Sequence, residues 1–260
     1  MRAMIKKIII LLFCGVLWIP GYAQQKQDTL RVMTYNLRFG ELASMQEIAD
    51  YIKSENPDVV ALQEVDWKTN RERAPRQNGV AMLNELAFYT GMFGVYAKAI
   101  DYRSGYYGIG ILSKYPVLSS ERVLLPNPSP EKEQRVMLTA QIELPDHQPL
   151  TFVCTHLEVS AEEKRIAQIR FIRQQVKKVK GPVLIAGDFN ARPDSKVIRE
   201  EMKGWVNATN EENTYHTKNP NIKIDYIYML PNRGLEMLNT KRGEAKLSDH
   251  FPIVTDFLIQ

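Results

Sequence analysis

The chain of 260 residues contains little cysteine, with only Cys14 and Cys154. Cys14 lies in an apolar segment near the amino terminus that we expect to be removed, which would leave Cys154 alone. A single cysteine can form neither an internal disulfide nor a thiolate zinc site. The fold must therefore depend on an ordinary hydrophobic core, for which 44% hydrophobic residues in one large domain suffice.

The features of a modular protein are also missing. The sequence contains no internal repeat, no low-complexity tract and no linker rich in glycine or serine. We therefore predict a single domain over residues 30–260, preceded by a short disordered leader over residues 24–29. The proline-containing stretch at 126–130 is expected to be a surface loop within that domain.

No apolar run is long enough for a comfortable membrane span. The amino-terminal run, residues 8–19, follows Arg2, Lys6 and Lys7 and precedes Pro20-Gly21-Tyr22-Ala23. A short apolar run between positive charges and small residues is typical of a secretory signal peptide, here residues 1–23. The alternative is an uncleaved anchor. We expect an exported protein, located in the periplasm or outside the cell.

A strong basic excess is absent as well. The formal net charge is +4, and removal of residues 1–23 takes away three positive charges and no negative ones, which leaves +1. Proteins that hold duplex DNA mainly by neutralising its phosphates usually carry a larger basic excess. The composition therefore gives no support to nucleic acid as the ligand, although it leaves room for a local basic patch.

Apolar runs and capping motifs predict an α/β domain. Ser44 and Glu47 form a capping box ahead of one helix, and Ser160 and Glu163 form another ahead of a longer one. Several strands are continuous apolar runs, so both of their faces should be covered, as in two packed sheets with helices outside. The predicted strands are 30–35, 58–62, 94–99, 107–112, 117–125, 135–144, 150–155, 182–186, 223–229 and 252–258, with further helices over 79–89 and from Asp194.

One of the buried strands ends in Gly187-Asp188-Phe189-Asn190. Alternate residues of a strand face the same way, so Asp188 and Asn190 can project into one place. A carboxylate that orients a water or a metal, beside a neutral amide donor, suits attack on a phosphate. Turn chemistry alone is the alternative explanation for glycine, aspartate and asparagine at a strand end.

Polar side chains also lie at the ends of other predicted strands. Charged groups at such positions are costly unless they are paired or bind a metal. One or two of them could be caps or turns, but six such places in one domain indicate a shared site. These residues are Asn36, Glu64, His156, Asp188 with Asn190, Asp225, and Asp249 with His250.

The six motifs around these residues resemble, in the same order, those of the endonuclease/exonuclease/phosphatase superfamily. This group includes pancreatic deoxyribonuclease, abasic-site endonucleases, neutral sphingomyelinases and inositol polyphosphate 5-phosphatases. The resemblance implies a four-layer α/β sandwich, in which two mixed β-sheets pack together with helices on the outer faces. It also implies Mg²⁺-dependent hydrolysis of a phosphoester, with Mn²⁺ as an alternative cofactor. The matching segments are Tyr35-Asn36-Leu37-Arg38, Leu62-Gln63-Glu64-Val65, Thr155-His156-Leu157, Gly187-Asp188-Phe189-Asn190, Ile224-Asp225-Tyr226-Ile227 and Ser248-Asp249-His250.

The same resemblance implies a metal site and a position for the attacking water. Glu64 would be the principal metal ligand, and Asn36 and Asp249 would complete or support the metal shell, since Mg²⁺ prefers oxygen ligands. Asp188 would orient or deprotonate the attacking water. Asn190 would donate to the phosphoryl oxygens as charge builds there.

It further implies roles for two histidines. His250 would act as a general base or as a donor to the phosphate, with Asp225 fixing its tautomer. His156 would stabilise the pentacovalent arrangement or help the leaving group. The division of the base role between Asp188 and His250 stays open. Arg38 and Arg135 are candidates to contact the substrate phosphate, or they simply face water.

Two departures from the superfamily pattern bear on the substrate. Arg38 stands where abasic-site endonucleases usually have an acid, which together with export weakens a DNA-repair function. No acid in residues 102–112 is evident as a partner for His156, so that partner stays open.

Residues 102–108 are rich in tyrosine and glycine. Tyr106 and Tyr107 are therefore candidates for the substrate rim, or ordinary strand residues beside a turn.

We predict a phosphodiesterase whose substrate is a lipid head group or another small molecule. A secreted nuclease acting on DNA or RNA is the second hypothesis. A phosphomonoesterase is less favoured. A non-catalytic binding module is also less favoured, because a degenerate copy should have lost one of the ligand-type residues and none is lost. No sequence feature indicates a protein partner, and we expect a monomer.

Overall fold

The computed structural model describes residues 28–127 and 133–260. The predicted signal peptide, most of the predicted leader and most of the predicted loop at 126–130 lie outside these residues. The first strand begins at Thr29, inside the segment predicted as a leader. Within the described ranges, no helix is both long and apolar enough to cross a bilayer.

The described residues form twelve strands and three α-helices. Brief 3-10 helices at Arg38–Gly40 and Pro75–Gln77 and a π-helical turn at Val197–Glu201 complete the structure. The elements are β1 (Thr29–Asn36), α1 (Met45–Glu55), β2 (Val59–Trp67), α2 (Met82–Thr90), β3 (Phe93–Tyr102), β4 (Gly105–Ser113), β5 (Val117–Leu124), β6 (Val136–Glu143), β7 (Pro149–His156), α3 (Glu162–Val176), β8 (Val183–Asp188), β9 (Val206–Asn207), β10 (Asp225–Met229), β11 (Leu235–Arg242) and β12 (Ile253–Ile259).

The strands form two mixed sheets of six strands each. The first sheet has the order β11-β12-β1-β2-β4-β3 and the second the order β5-β6-β7-β8-β10-β9. Each sheet contains one parallel pair near its centre, β1 with β2 and β7 with β8. Because parallel neighbours end at the same edge, the residues that end these strands lie side by side.

Three hydrophobic clusters hold the layers together. The largest lies between the sheets and includes Val32 of the first sheet and Phe152 of the second, both fully buried. A second cluster packs α1 and α2 against the outer face of the first sheet, and a third packs α3 against the second sheet. The predicted α/β sandwich of two mixed sheets with helices outside is therefore confirmed.

Some local predictions were wrong. Ser160 does not cap α3, which begins at Glu162 with Ala161 as an N-cap that makes no side-chain hydrogen bond. The backbone N–H of Ser160 instead donates to Oε1 of Glu158 at 3.0 Å, which holds this segment outside the helix. The helix predicted from Asp194 reduces to the single π-helical turn. By contrast, the capping box of Ser44 and Glu47 is formed.

Candidate active site

The strand ends of both sheets meet at one edge of the sandwich. Asn36 ends β1, and His156 and Asp188 end the parallel neighbours β7 and β8, where they are register partners. Asp225 begins β10, which runs antiparallel to β8, and it pairs with Asp188. Strand pairing in the second sheet therefore brings His156, Asp188 and Asp225 together, and the packing of the two sheets adds Asn36.

The carboxylate of Asp188 lies at the centre of this convergence. Its Oδ1 accepts the backbone N–H of Asn190 at 2.8 Å, and its Oδ2 accepts Nδ2 of Asn36 at 3.1 Å. Nε2 of His156 and Nε2 of His250 lie 3.5 and 3.8 Å from the same Oδ2. Several N–H donors thus face one buried carboxylate oxygen.

This environment changes the acidity of Asp188. Burial, followed by repulsion from Asp225, raises the pKa of Asp188 to about 7, despite the opposing effects of His250 and the two hydrogen bonds. A carboxylate with a pKa near neutrality can accept a proton from water and release it again at neutral pH.

Asp225 and His250 form a buried hydrogen-bonded pair. Oδ2 of Asp225 lies 2.9 Å from Nδ1 of His250. Burial opposes the charge on His250, but attraction to Asp225 and the hydrogen bond between them raise the pKa of His250 to about 10. In the metal-free protein His250 is therefore an imidazolium at neutral pH. The ring of Tyr215 packs on it, with ring centroids 4.9 Å apart.

Glu64 reaches the site through an irregularity in β2. The register of β2 against β4 shifts between Leu62 and Val65, and Glu64 has a left-handed φ of 54°. A residue other than glycine is rarely held in this region unless the surrounding structure fixes it. Oε1 of Glu64 accepts Nδ2 of Asn36 at 3.1 Å, so Asn36 bridges the carboxylates of Glu64 and Asp188. Burial raises the pKa of Glu64 above its ordinary value.

Asp249 lies beside Arg38. The Arg38 guanidinium forms ion pairs with Asp249 and Glu41, and the backbone N–H of Arg38 donates to Oδ1 of Asn36 at 3.0 Å. Arg38 is therefore engaged with two of the predicted metal-shell residues. It is absent from the residues lining the cavity described below, where the sequence had suggested a phosphate contact.

The oxygen donors of Asn36, Glu64 and Asp249 fit a hard divalent cation such as Mg²⁺ or Mn²⁺. Oε2 of Glu64 receives no hydrogen bond from residues 28–127 or 133–260, which leaves an oxygen of this half-buried carboxylate available to a cation. Asp188, Asp225 and His250 also offer ligand atoms within 4.8 Å of one another. Since Nδ1 of His250 is bonded to Asp225, that second group is better explained as proton-handling machinery than as a metal site.

A cavity of about 470 Å³ opens above these groups. Glu64, Asp188, Asn190, Asp249 and both histidines line its polar part. Four further lining residues are apolar or aromatic, and we call them the apolar wall. Sequence reasoning missed Val159, Tyr215 and Ile222 because they lie outside its motifs, whereas Ile224 belongs to one. The apolar wall consists of Val159, Tyr215, Ile222 and Ile224.

The two tyrosines predicted at the substrate rim lie in different environments. Tyr107 is buried and lines the cavity. Tyr106 is exposed and lies under the ammonium group of Lys98, which is 4.4 Å from its ring centroid. Tyr106 is not among the residues that line the cavity, because adjacent residues of β4 point to opposite faces of the sheet. The rim prediction therefore corresponds to the position of Tyr107 alone.

The partner of His156 is Arg135. The NH1 nitrogen of Arg135 lies 3.0 Å from Nδ1 of His156, and both side chains are buried. Burial and the Arg135 charge hold the pKa of His156 well below its ordinary value. Sequence reasoning missed this pair because pancreatic-type deoxyribonucleases pair the equivalent histidine with a glutamate.

Asn190 also lines the cavity, and its Nδ2 donates to the Leu157 carbonyl at 3.0 Å.

Fold and site together define a phosphoester hydrolase of the deoxyribonuclease-like α/β sandwich class. A profile described as the Endonuclease/Exonuclease/phosphatase family matches residues 33–250. The chain belongs to this family.

Two proteins illustrate how far the sequence similarity extends. The uncharacterized protein YbhP of Escherichia coli K12 is 28% identical over 250 residues, which are 88% of this chain and 96% of that protein. The UPF0294 protein of Vibrio campbellii is 28% identical over 102 residues, 37% of this chain and 35% of its own length. That match therefore spans about a third of the relative.

Solved structures share the fold at lower identity. An endonuclease/exonuclease/phosphatase from Beutenbergia cavernae superposes with a TM-score of 0.74 at 20% identity, covering 89% of this chain and 72% of its own. A second, from Bacteroides vulgatus, gives 0.72 at 20% identity and covers 90% of this chain and 100% of its own. These structures support the architecture alone.

Proposed function

We propose that the protein is an exported, Mg²⁺-dependent phosphodiesterase whose substrate carries an organic head group. The observation that carries this proposal is the convergence on Asp188, whose buried carboxylate lies among Asn36, His156 and His250 beside the cavity. A carboxylate with a pKa near neutrality, surrounded by N–H donors, suits a water nucleophile on one side and a phosphoryl group on the other.

The residues of the site divide the work as follows. Asp188 accepts a hydrogen bond, and then a proton, from the attacking water. His250, held as an imidazolium by Asp225, points Nε2 toward the same space and donates to a phosphoryl oxygen. This favours the donor role for His250 in the metal-free protein and leaves the base role to Asp188. Asn190 adds a neutral donor at the cavity wall.

Asn36, Glu64 and Asp249 would hold the cation. A bound Mg²⁺ polarises the phosphoryl oxygen and lowers the pKa of a coordinated water. The bridge that Asn36 makes between Glu64 and Asp188 fixes the two carboxylates relative to each other, so the cation-holding group and the water-orienting group keep one geometry.

The cavity wall and the charge pattern favour a small organic head group over a nucleic acid. The apolar wall offers surface to a choline, glycerol or aromatic group. A nucleic-acid track would require unpaired cations along the backbone path. Near the site, however, Arg38 is paired with Asp249, Arg71 with Asp66 at 2.6 Å, and Arg135 with Glu133 at 3.0 Å. Among the described residues, Arg192 is the one cavity-lining arginine without an ion pair, and a single cation does not form a track. Nuclease activity therefore remains the second candidate.

The direct test is a substrate screen with the mature protein. Bis-p-nitrophenyl phosphate, p-nitrophenyl phosphate, sphingomyelin, glycerophosphodiesters, inositol phosphates, plasmid DNA and RNA would each be assayed with Mg²⁺, with Mn²⁺ and with chelator. We expect cation-dependent cleavage of the diesters, a preference for lipid or small head groups, and loss of activity in Asp188→Ala. Full activity in chelator, or in Asp188→Ala, would contradict the proposal.

Export is tested separately by fractionation. A chain tagged at the carboxyl terminus is expected in the periplasm or the medium, shortened by cleavage after Ala23. Recovery of the full-length chain in the membrane fraction would instead favour an uncleaved anchor.

A further inference from the structure

His156 is bonded to a cation instead of to an acid. Nδ1 of His156 faces the guanidinium of Arg135 at 3.0 Å, in a place where both side chains are buried. An arginine guanidinium has five N–H donors and no acceptor. The nitrogen that faces it must therefore offer a lone pair, which leaves the ring proton on Nε2.

We infer that Arg135 is a positioning residue that holds His156 as the neutral Nε2–H tautomer. His156 then serves as a fixed N–H donor to a phosphoryl oxygen and does not exchange a proton during the reaction. The tautomer follows from the geometry alone, whereas its catalytic use rests on the proposed function.

Two carboxylates lie near the guanidinium. NH1 of Arg135 lies 3.0 Å from Oε1 of Glu133, and Nε lies 3.7 Å from Oε2 of Glu158. Their charges compensate the buried guanidinium, which would otherwise be costly. Oε1 of Glu133 and Nε of Arg135 form no hydrogen bond within the described residues, so the side-chain hydrogen bond that the guanidinium makes there is the one to His156. Protonation of Nδ1 would place an N–H against an N–H donor and bring two positive charges together, which this enclosure does not allow.

The two histidines of the site therefore have opposite surroundings. His250 shares Nδ1 with a carboxylate, and His156 shares Nδ1 with a guanidinium. Both Nε2 atoms face Oδ2 of Asp188, at 3.8 and 3.5 Å. Because the lone pair of Nδ1 is directed at Arg135, His156 stays neutral and does not protonate the leaving group.

The tautomer can be read by NMR of the metal-free full chain labelled with ¹⁵N-histidine, with His156→Gln to assign the signals. We expect Nδ1 of His156 to resonate as an unprotonated ring nitrogen and Nε2 as a protonated one. The pattern should be unchanged from about pH 5.5 to about pH 8.5, a range in which a free histidine titrates. A protonated Nδ1, or a titration in this range, would overturn the inference. The wild-type spectrum decides this without any variant.

Two substitutions then test the role of Arg135. In Arg135→Met, His156 should titrate, kcat for bis-p-nitrophenyl phosphate should fall about tenfold or more with KM little changed, and the pH profile should gain a new limb. Arg135→Lys keeps a donor at Nδ1 and should restore both the NMR pattern and much of kcat. Arg170→Met is the matched control, since Arg170 lies on α3 and pairs with Glu201 at 2.6 Å.

The outcomes separate the alternatives. A raised KM with an unchanged His156 spectrum in Arg135→Met would mean that Arg135 contacts the phosphate directly, and would overturn the positioning role. Failure of Arg135→Lys to restore the pattern would do the same. If the wild-type protein cleaves no phosphoester, the proposed function fails, whereas the NMR result still decides the tautomer.

Discussion

A hydrogen bond between the side chains of Asp225 and His250 connects the two sheets. Asp225 begins β10 of the second sheet, and His250 lies in the segment just before β12 of the first, yet Oδ2 and Nδ1 are 2.9 Å apart. Oδ1 of Asp225 has no hydrogen-bond partner among the described residues. The side-chain hydrogen bond of this carboxylate therefore goes to the imidazole, and against the effect of burial its charge and this bond, with the nearby charges of Asp188 and Asp249, raise the pKa of that ring.

We expect Asp225→Asn to lower kcat about a hundredfold, because His250 loses the charge that makes it a strong donor. The raised pKa of His250 should also fall, which moves the alkaline limb of the rate profile to lower pH. Measurement of kcat against pH tests both effects. Asp256→Asn is the control and should leave kcat unchanged, because Asp256 forms an ion pair with Arg31 within the first sheet.

Glu64→Gln is expected to stabilise the metal-free protein at alkaline pH. Burial raises the pKa of Glu64 in the folded state. The folded protein therefore loses stability as the pH rises from the ordinary glutamate pKa to the raised one, and below the ordinary pKa there is no loss. The glutamine keeps the acceptor for Asn36 without the charge. In chelator at pH 8, we expect the Tm of Glu64→Gln to be about 3 °C above that of the wild type, which corresponds to about 1 kcal/mol in the free energy of unfolding. Near pH 4 the two Tm values should be equal.

The same variant should lose its response to Mg²⁺. Wild-type Tm is expected to rise as Mg²⁺ is added, because the cation binds only the folded state, whereas Glu64→Gln should show little or no rise. An equal rise in both proteins would remove Glu64 from the metal site. Calorimetric unfolding with and without Mg²⁺ makes the comparison.

Arg38→Met should bind Mg²⁺ more tightly than the wild type, by about tenfold or about 1.4 kcal/mol. The guanidinium of Arg38 competes with a cation for Asp249, and its removal frees that carboxylate. Isothermal titration of Mg²⁺ gives the affinity directly. Arg73→Met is the matched control, because Arg73 pairs with Glu41 but not with Asp249. Unchanged affinity with a raised KM would instead make Arg38 a substrate contact.

Val159→Ser should raise KM about fivefold for the preferred head group and leave kcat nearly constant. Val159 belongs to the apolar wall and is 63% exposed, so its loss removes contact with substrate and little folding energy. Leu118→Ser on β5 is the control, since Leu118 is 57% exposed and is not among the cavity-lining residues. Equal KM values in both variants would remove Val159 from the head-group contact.

The sequence was informative where the physical signal is local. Apolar runs followed by one polar residue identified β1, β2, β7 and β8, and the residues Asn36, Glu64, His156 and Asp188 do come together. This worked because the central strands are largely buried on both faces, so that a chargeable side chain stands out from the run. In contrast, β11 was missed because Leu235 is its only buried residue, so its sequence lacks an apolar run.

Contacts between distant segments could not be predicted. Arg135 lies just before β6 and contacts His156 at the end of β7. A strand pattern does not distinguish such an arginine from one that faces water. Arg38 was expected near substrate phosphate, yet its guanidinium lies against Asp249, a residue distant in sequence. The position of Tyr215 beside His250 depends on a long loop without periodicity. Each of these depends on how strands pair and where the loops between them run, which no local pattern encodes.

The pairing of β12 with β1 has a consequence for how the protein is made. Arg31 and Asp256 are joined at 2.7 Å although 225 residues separate them in sequence. During synthesis, one edge of β1 stays unpaired until nearly the whole domain has been produced, and His250, just before β12, is also produced late. The first sheet and the candidate site are therefore completed together, only when the strand furthest along the chain becomes available.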